Sequence, residues 1–275
     1  MTTLNDLVFS SKDNFNKMNT LTKYPSIATY HPMGDKGKLQ PEVAPNSFAD
    51  IEEVYITEKI DGTNSRIVYF NGDWIIGSRE NLLCAKGDRI GDPSQSIVET
   101  VKPLMTRFED CKKLFNNDTV YVLFGESYGG KITKASREYT KSDITGFRLF
   151  DVAAISINEI NDLLKKPIEN LATWREGSGD GHNRFFSLDG IRKFSNYLDI
   201  EEVPTVLITR GREIPKDLEG TYEWLNSKFS TSIAKLDDGP DGLAEGVVVR
   251  DFYRKTIRKI RFQDYERTLG LKKTR

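Results

Sequence analysis

Hydrophobic positions along this chain fall into short alternating runs, and from Val54 onward those runs dominate. Val54 to Ile56, Ser65 to Phe70, Trp74 to Gly77, Thr119 to Phe124, Phe147 to Ile155, Val203 to Thr209 and Gly246 to Arg250 each read as a strand. β-Branched and aromatic residues at period two fit a pleated, half-buried surface. Asn71-Gly72 between the second and third runs is a hairpin-turn signal. Helical spacing appears between the strands, at about 94–115, 156–166, 188–198 and 217–229, with Ser187 placed to cap the third. This alternation predicts an α+β fold of packed antiparallel sheets with flanking helices. Residues 1–20 are polar and read as a tail or one short helix, leaving 21–275 as a single domain. Pro167 to Arg184, with Gly177, Gly179 and Gly181, reads as a surface loop, because its glycine spacing fits no phosphate-cradling pattern.

Composition narrows the class. The 275 residues include 40 Lys and Arg against 41 Asp and Glu, so net charge alone announces no polyanionic partner. The distribution does: residues 250–275 hold ten Lys or Arg against three acids, which suits a polyphosphate or nucleic-acid backbone. Two distant cysteines, Cys84 and Cys111, exclude a disulfide framework and a cysteine-rich zinc site. With neither a membrane-length apolar run nor a signal-peptide layout, the expected location is cytoplasmic, with no membrane partner.

The chemistry centres on Glu58-Lys59-Ile60-Asp61-Gly62-Thr63-Asn64. A strand runs into turn residues here, so Lys59 is expected where the strand opens onto a site. An ordinary lysine has a pKa of about 10.4, and holding it neutral near pH 7 costs about 4.6 kcal/mol unless its surroundings lower that value. Lys259 and Arg261, on one face of a strand by their two-residue spacing, are the expected neighbouring cations. A neutral amine there can attack phosphorus.

Five further segments occur in order: Ser78-Arg79-Glu80; a strand into Gly125-Glu126; Phe150-Asp151; Glu245-Gly246; and Arg258-Lys259-Ile260-Arg261. Together with the heptapeptide they resemble the ordered motifs of the covalent nucleotidyltransferases, the superfamily of ATP-dependent ligases and capping enzymes. The branch they resemble most is the RNA ligase family typified by the second RNA ligase of bacteriophage T4. That resemblance implies an ATP-grasp-like adenylylation domain and a three-step reaction: lysyl-AMP on Lys59, AMP transfer to a 5′-phosphate, and attack by a 3′-hydroxyl. It also implies ATP and Mg2+ or Mn2+ as cofactors. Lys59, Lys259 and Arg261 would be catalytic; Glu58, Asn64, Arg79, Glu126, Phe150 and Glu245 would join Lys59 and Lys259 around the nucleotide, with Glu245 also on the metal. Asn64, Arg79 and Arg250 would contact the polynucleotide.

Two positions depart from that branch. Asp61 stands where it carries His, which keeps DNA open as a substrate beside RNA, and Arg261 replaces a second lysine with a planar fork. Sixteen residues follow Lys259, too few for the OB-fold barrel of DNA ligases and capping enzymes. Polynucleotide contacts are therefore expected on the catalytic domain itself or on a partner protein supplying a further domain. A binding module without catalysis is the remaining alternative.

Overall fold

The structure is a computed structural model that describes residues 3–91, 96–177 and 184–271. The chain divides into two compact units, and each owns one antiparallel sheet. One unit comprises residues 27–61, 134–144 and 203–275. Its four strands run in the order β10 (Ile257–Arg261), β9 (Gly246–Asp251), β1 (Val54–Lys59), β8 (Thr205–Thr209). Val54, Ile56, Val247, Val249 and Ile260 supply one face of that sheet to a core closed by Leu225 and Phe229 of α8 (Leu218–Phe229) and Phe262 and Tyr265 of α9 (Phe262–Leu269). Asp217 caps α8 by accepting from Gly220 N at 2.7 Å.

The second unit comprises residues 1–26, 62–133 and 145–202. Its six strands run β5 (Asp88–Arg89), β4 (Leu82–Ala85), β3 (Asp73–Ser78), β2 (Thr63–Phe70), β6 (Thr119–Gly129), β7 (Thr145–Ser156). Asn71-Gly72 makes the β2–β3 hairpin, both residues at positive φ, as its sequence predicts. Val68, Phe70, Val122, Phe124, Ala153 and Ile155 line the core.

Helices complete this second unit, and five of them differ from the sequence expectation. Residues 1–20 yield two helices, α1 (Leu4–Phe9) and α2 (Lys12–Leu21). Thr3 and Asp6 form a capping box, Ser11 caps the second, and Leu4, Leu7, Val8, Met18 and Leu21 are buried in the core. A polar segment can still bury one apolar stripe at helical spacing. The expected 94–115 helix is broken into α3 (Ile97–Val101) and α4 (Met105–Asp110) by a tight turn at Lys102–Leu104 that holds Pro103, with residues 94 and 95 outside the described residues. α5 (Ile157–Leu164) matches expectation. Within the expected 167–184 loop lies α6 (Ile168–Glu176), which buries Leu171, packs Trp174 on the same core and closes at Gly177. Gly179 and Gly181 lie outside the described residues. α7 (Leu188–Leu198) begins at Ser187, whose hydroxyl accepts from Gly190 N.

Candidate active site

The register of the four-stranded sheet decides what surrounds Lys59. Val54 and Ile56 fix the core face of β1, so Tyr55, Thr57 and Lys59 stand on the other. Lys59 is paired with Gly246, and Gly246 with Arg261; Thr57 is paired with Val248, and Val248 with Lys259; Tyr55 is paired with Arg250. Val247, Val249 and Ile260 occupy the core face of their strands. Lys59, Arg250, Lys259 and Arg261 therefore share the face turned away from the core. Lys259 and Arg261 meet the sequence expectation of one face, and pairing brings Lys59 level with Arg261. Arg250 lies four residues back along β1 from that end and is buried.

Glu245, just before β9, binds this end of the sheet together. Lys59 Nζ donates to Glu245 Oε2 at 2.5 Å, and the Arg261 guanidinium stands 3.7 Å from Oε1. Gly246 separates them: a Cβ there would lie 2.1 Å from the Ile260 carbonyl oxygen, so a side chain would force β9 and β10 apart. Asp264, in the first turn of α9 and fully buried, accepts from Arg261 Nε and Nη2 at 2.8 and 3.0 Å. That two-pronged contact fixes the plane of the guanidinium. Asp264 was absent from the sequence reading, although its place three residues after Arg261, where a strand gives way to a helix turn, was a usable signal.

The turn after Lys59 is tighter than its composition suggests, since Thr63 and Asn64 already belong to β2. Asp61 N donates to the Tyr139 hydroxyl at 2.6 Å. Burial, with the charge of Glu245 adding to it, holds the Asp61 carboxyl above the ordinary aspartate range. Glu58 faces away from Lys59, into the core side. Its carboxylate accepts from Ser232 Oγ at 2.5 Å, Ile233 N at 2.8 Å and Ala234 N at 3.1 Å, which ties the 232–234 segment to β1.

The remaining expected site residues lie in the six-stranded unit. Asn64 and Glu126 are direct partners across β2 and β6. Among the described residues, Asn64 Oδ1 is buried with no hydrogen-bond partner. Phe150 is the extra residue of a bulge, since Phe124 pairs with Asp151 and Gly125 with Leu149. Bulges re-aim side chains in this way. Tyr24 packs edge-on against Phe150 at 4.9 Å and donates from its hydroxyl to Asp151 at 2.5 Å. Arg79 is largely exposed and 3.8 Å from Glu80.

Among the described residues no group of three or more His, Cys, Asp or Glu is placed to cage a metal. Glu245 offers a single carboxylate, which suits Mg2+ or Mn2+, ions that take one or two carboxylates and complete their shell with phosphate oxygens and water.

Solved structures with the same fold include the Naegleria gruberi RNA ligase in several states. A variant with ATP and Mn aligns at TM-score 0.52 and 14% identity over 88% of this chain. An apo variant aligns at 0.53 and 14% over 91%, and the form with PPi at 0.51 and 15% over 90%. The chain spans 62 to 64% of the length of those proteins. No curated protein matches it. The model of the RNA ligase family matches residues 52–263, from before β1 to beyond β10 and well over half of the chain: the chain belongs to the RNA ligase family.

Proposed function

We propose that the protein is an ATP-dependent polynucleotide ligase, with RNA ahead of DNA as substrate, that joins 5′-phosphate to 3′-hydroxyl ends through a lysyl-AMP on Lys59. The observation that carries this reading is the constellation at one sheet end: Lys59 on Glu245 at 2.5 Å, with Arg261 across the same carboxylate. In the first step the Lys59 amine attacks the α-phosphorus of ATP, forming a P–N bond as the P–O bond to pyrophosphate breaks. Lys259 and Arg261, on the lysine's face, would offset charge on the phosphate oxygens, the main need in phosphoryl transfer. Asp264 keeps Arg261 aimed. Glu245 would hold Mg2+ or Mn2+, which when bound supplies further charge compensation to the phosphates.

Asn64, Arg79, Glu126 and Phe150 keep the nucleotide and strand roles that the family motifs give them. Because the family match runs through both units, we read them as parts of one adenylylating domain. A cytoplasmic location goes with this reading; no described helix is long and apolar enough to cross a membrane.

Incubation with ATP and Mg2+ tests the first step, with the mass of the intact protein as readout. One added AMP is expected, absent in Lys59→Ala; an adduct that survives that substitution overturns the assignment. Sealing of nicked RNA against nicked DNA then decides substrate, which Asp61 leaves open. Adenylylation without sealing on either would favour a partner protein that supplies further strand contacts.

A further inference from the structure

Residues 134–144 are an excursion: they lie in sequence between β6 and β7 of the six-stranded unit, yet pack as part of the four-stranded one. Neighbouring residues at the centre of the excursion grip two separate segments. The Tyr139 hydroxyl accepts from Asp61 N at 2.6 Å, and Glu138 Oε2 accepts from Leu243 N at 2.7 Å. Asp61 is two residues beyond Lys59, and Leu243 is two residues before Glu245. The β1–β9 ladder ends at the Lys59–Gly246 pair, so both bonds close just past the point where ladder hydrogen bonding stops. Unsupported ladder ends open most readily.

The grip is itself rigid. Tyr139 is fully buried, and its carbonyl accepts from Leu236 N at 2.9 Å. Thr140 donates to Asp237, whose carboxylate also accepts from Lys141 N at 3.0 Å and Gly239 N at 3.0 Å. The 242–244 segment has other supports, Ser232 N to Gly242 O at 2.8 Å and Ala244 N to Ser230 O at 3.2 Å. Those fix it to residues 230–232, which Glu58 ties to the core face of β1; Glu138 and Tyr139 reach the segment beyond Lys59 directly. Within the four-stranded unit, Glu138 and Tyr139 tie the segment after Lys59 to the segment before Glu245 through two adjacent residues.

We propose that Glu138 and Tyr139 are positioning residues for adenylylation: together they set the Lys59 amine and the Glu245 carboxylate at the end of β1 and β9, without touching the reacting atoms. This rests on the lysyl-AMP reading of Lys59. Misplacement of a nucleophile by about an ångström is enough to cost orders of magnitude in rate. A defect in positioning should thus fall on the rate of adduct formation at saturating ATP and leave the ATP concentration for half-saturation nearly unchanged.

The test uses the full chain in four forms beside wild type: Tyr139→Phe, which removes the acceptor and keeps the ring; Glu138→Ala; Glu138→Gln, which keeps an acceptor for Leu243 N; and Tyr139→Phe with Glu138→Ala. Adduct formation is followed against ATP concentration, with thermal melts and circular dichroism in parallel. Tyr139→Phe and Glu138→Ala should each slow adduct formation roughly tenfold at saturating ATP, with half-saturation within about twofold of wild type. Glu138→Gln should restore most of the rate, and the double variant should fall short of the product of the two losses, as for groups acting as a unit. A folded Tyr139→Phe that forms adduct at the wild-type rate overturns the proposal, as does a Glu138→Gln no better than Glu138→Ala. Absence of adduct from wild type would instead overturn the reading of Lys59, so the two failures are told apart.

Discussion

The two units handle polar groups in opposite ways. In the four-stranded unit the chemistry-bearing side chains are paired with one another at a sheet end: Lys59 with Glu245, and Arg261 with both Glu245 and Asp264. In the six-stranded unit the expected site residues are set by packing. Phe150 stands on a bulge against Tyr24, Asn64 has a buried acceptor with no partner among the described residues, and Gly125 lies beneath the ring of Phe147. Fully buried Arg66 gives its guanidinium to the carbonyl and side chain of Asn19 on α2, and burial draws its pKa down to about 9. One unit is organised by charge at a strand end, the other by shape. Substitutions should accordingly separate loss of chemistry from loss of fold.

The sharpest separation is at Gly125. A Cβ there would lie 2.2 Å from Phe147 Cζ and 2.7 Å from the Arg148 carbonyl oxygen, so Gly125→Ala should cost about 3 kcal/mol or more by overpacking. The expected signature is a lower melting temperature, with amide protection lost first in β6 and β7.

Asp264→Ala removes a buried carboxylate and frees the Arg261 fork. Breaking a buried pair costs about 3–5 kcal/mol, and solvent access to Arg261 reduces that to about 2. Adduct formation should fall far more than stability does, and equal losses in both would erase the contrast between the units.

His31 gives a smaller, pH-dependent effect. Its Nε2 faces the Lys216 carbonyl at 3.0 Å and so carries the proton, while Nδ1 takes the Tyr265 hydroxyl at 2.6 Å. Burial holds its pKa below the ordinary histidine value. The unfolded chain therefore binds the proton more readily, and this contribution to stability is complete above about pH 6.5 and is lost as pH falls below it. The melting temperature should drop on acidification toward pH 5, and drop less in His31→Gln.

Arg79→Ala should change stability least, by less than about 0.5 kcal/mol, since the side chain is largely exposed and its nearest acid is 3.8 Å away. An effect on strand sealing with unchanged melting is the expected result.

The sequence by itself determined the strand-rich α+β class, the Asn71-Gly72 hairpin, the α7 helix with its Ser187 cap, the α8 helix, and the ordered motifs around Lys59. These are signals of local chemistry: side-chain period, turn residues, caps and short spacings. The polar first twenty residues and the 167–184 stretch misled because a helix needs only one apolar stripe, and composition averages that stripe away. Only the tertiary structure decided that Lys59 pairs with Glu245, 186 residues later, that Glu58 turns to the core face, and that Glu138 and Tyr139 arrive from a distant excursion. Those contacts depend on strand register and chain path, where a shift of one residue exchanges the two faces of a strand.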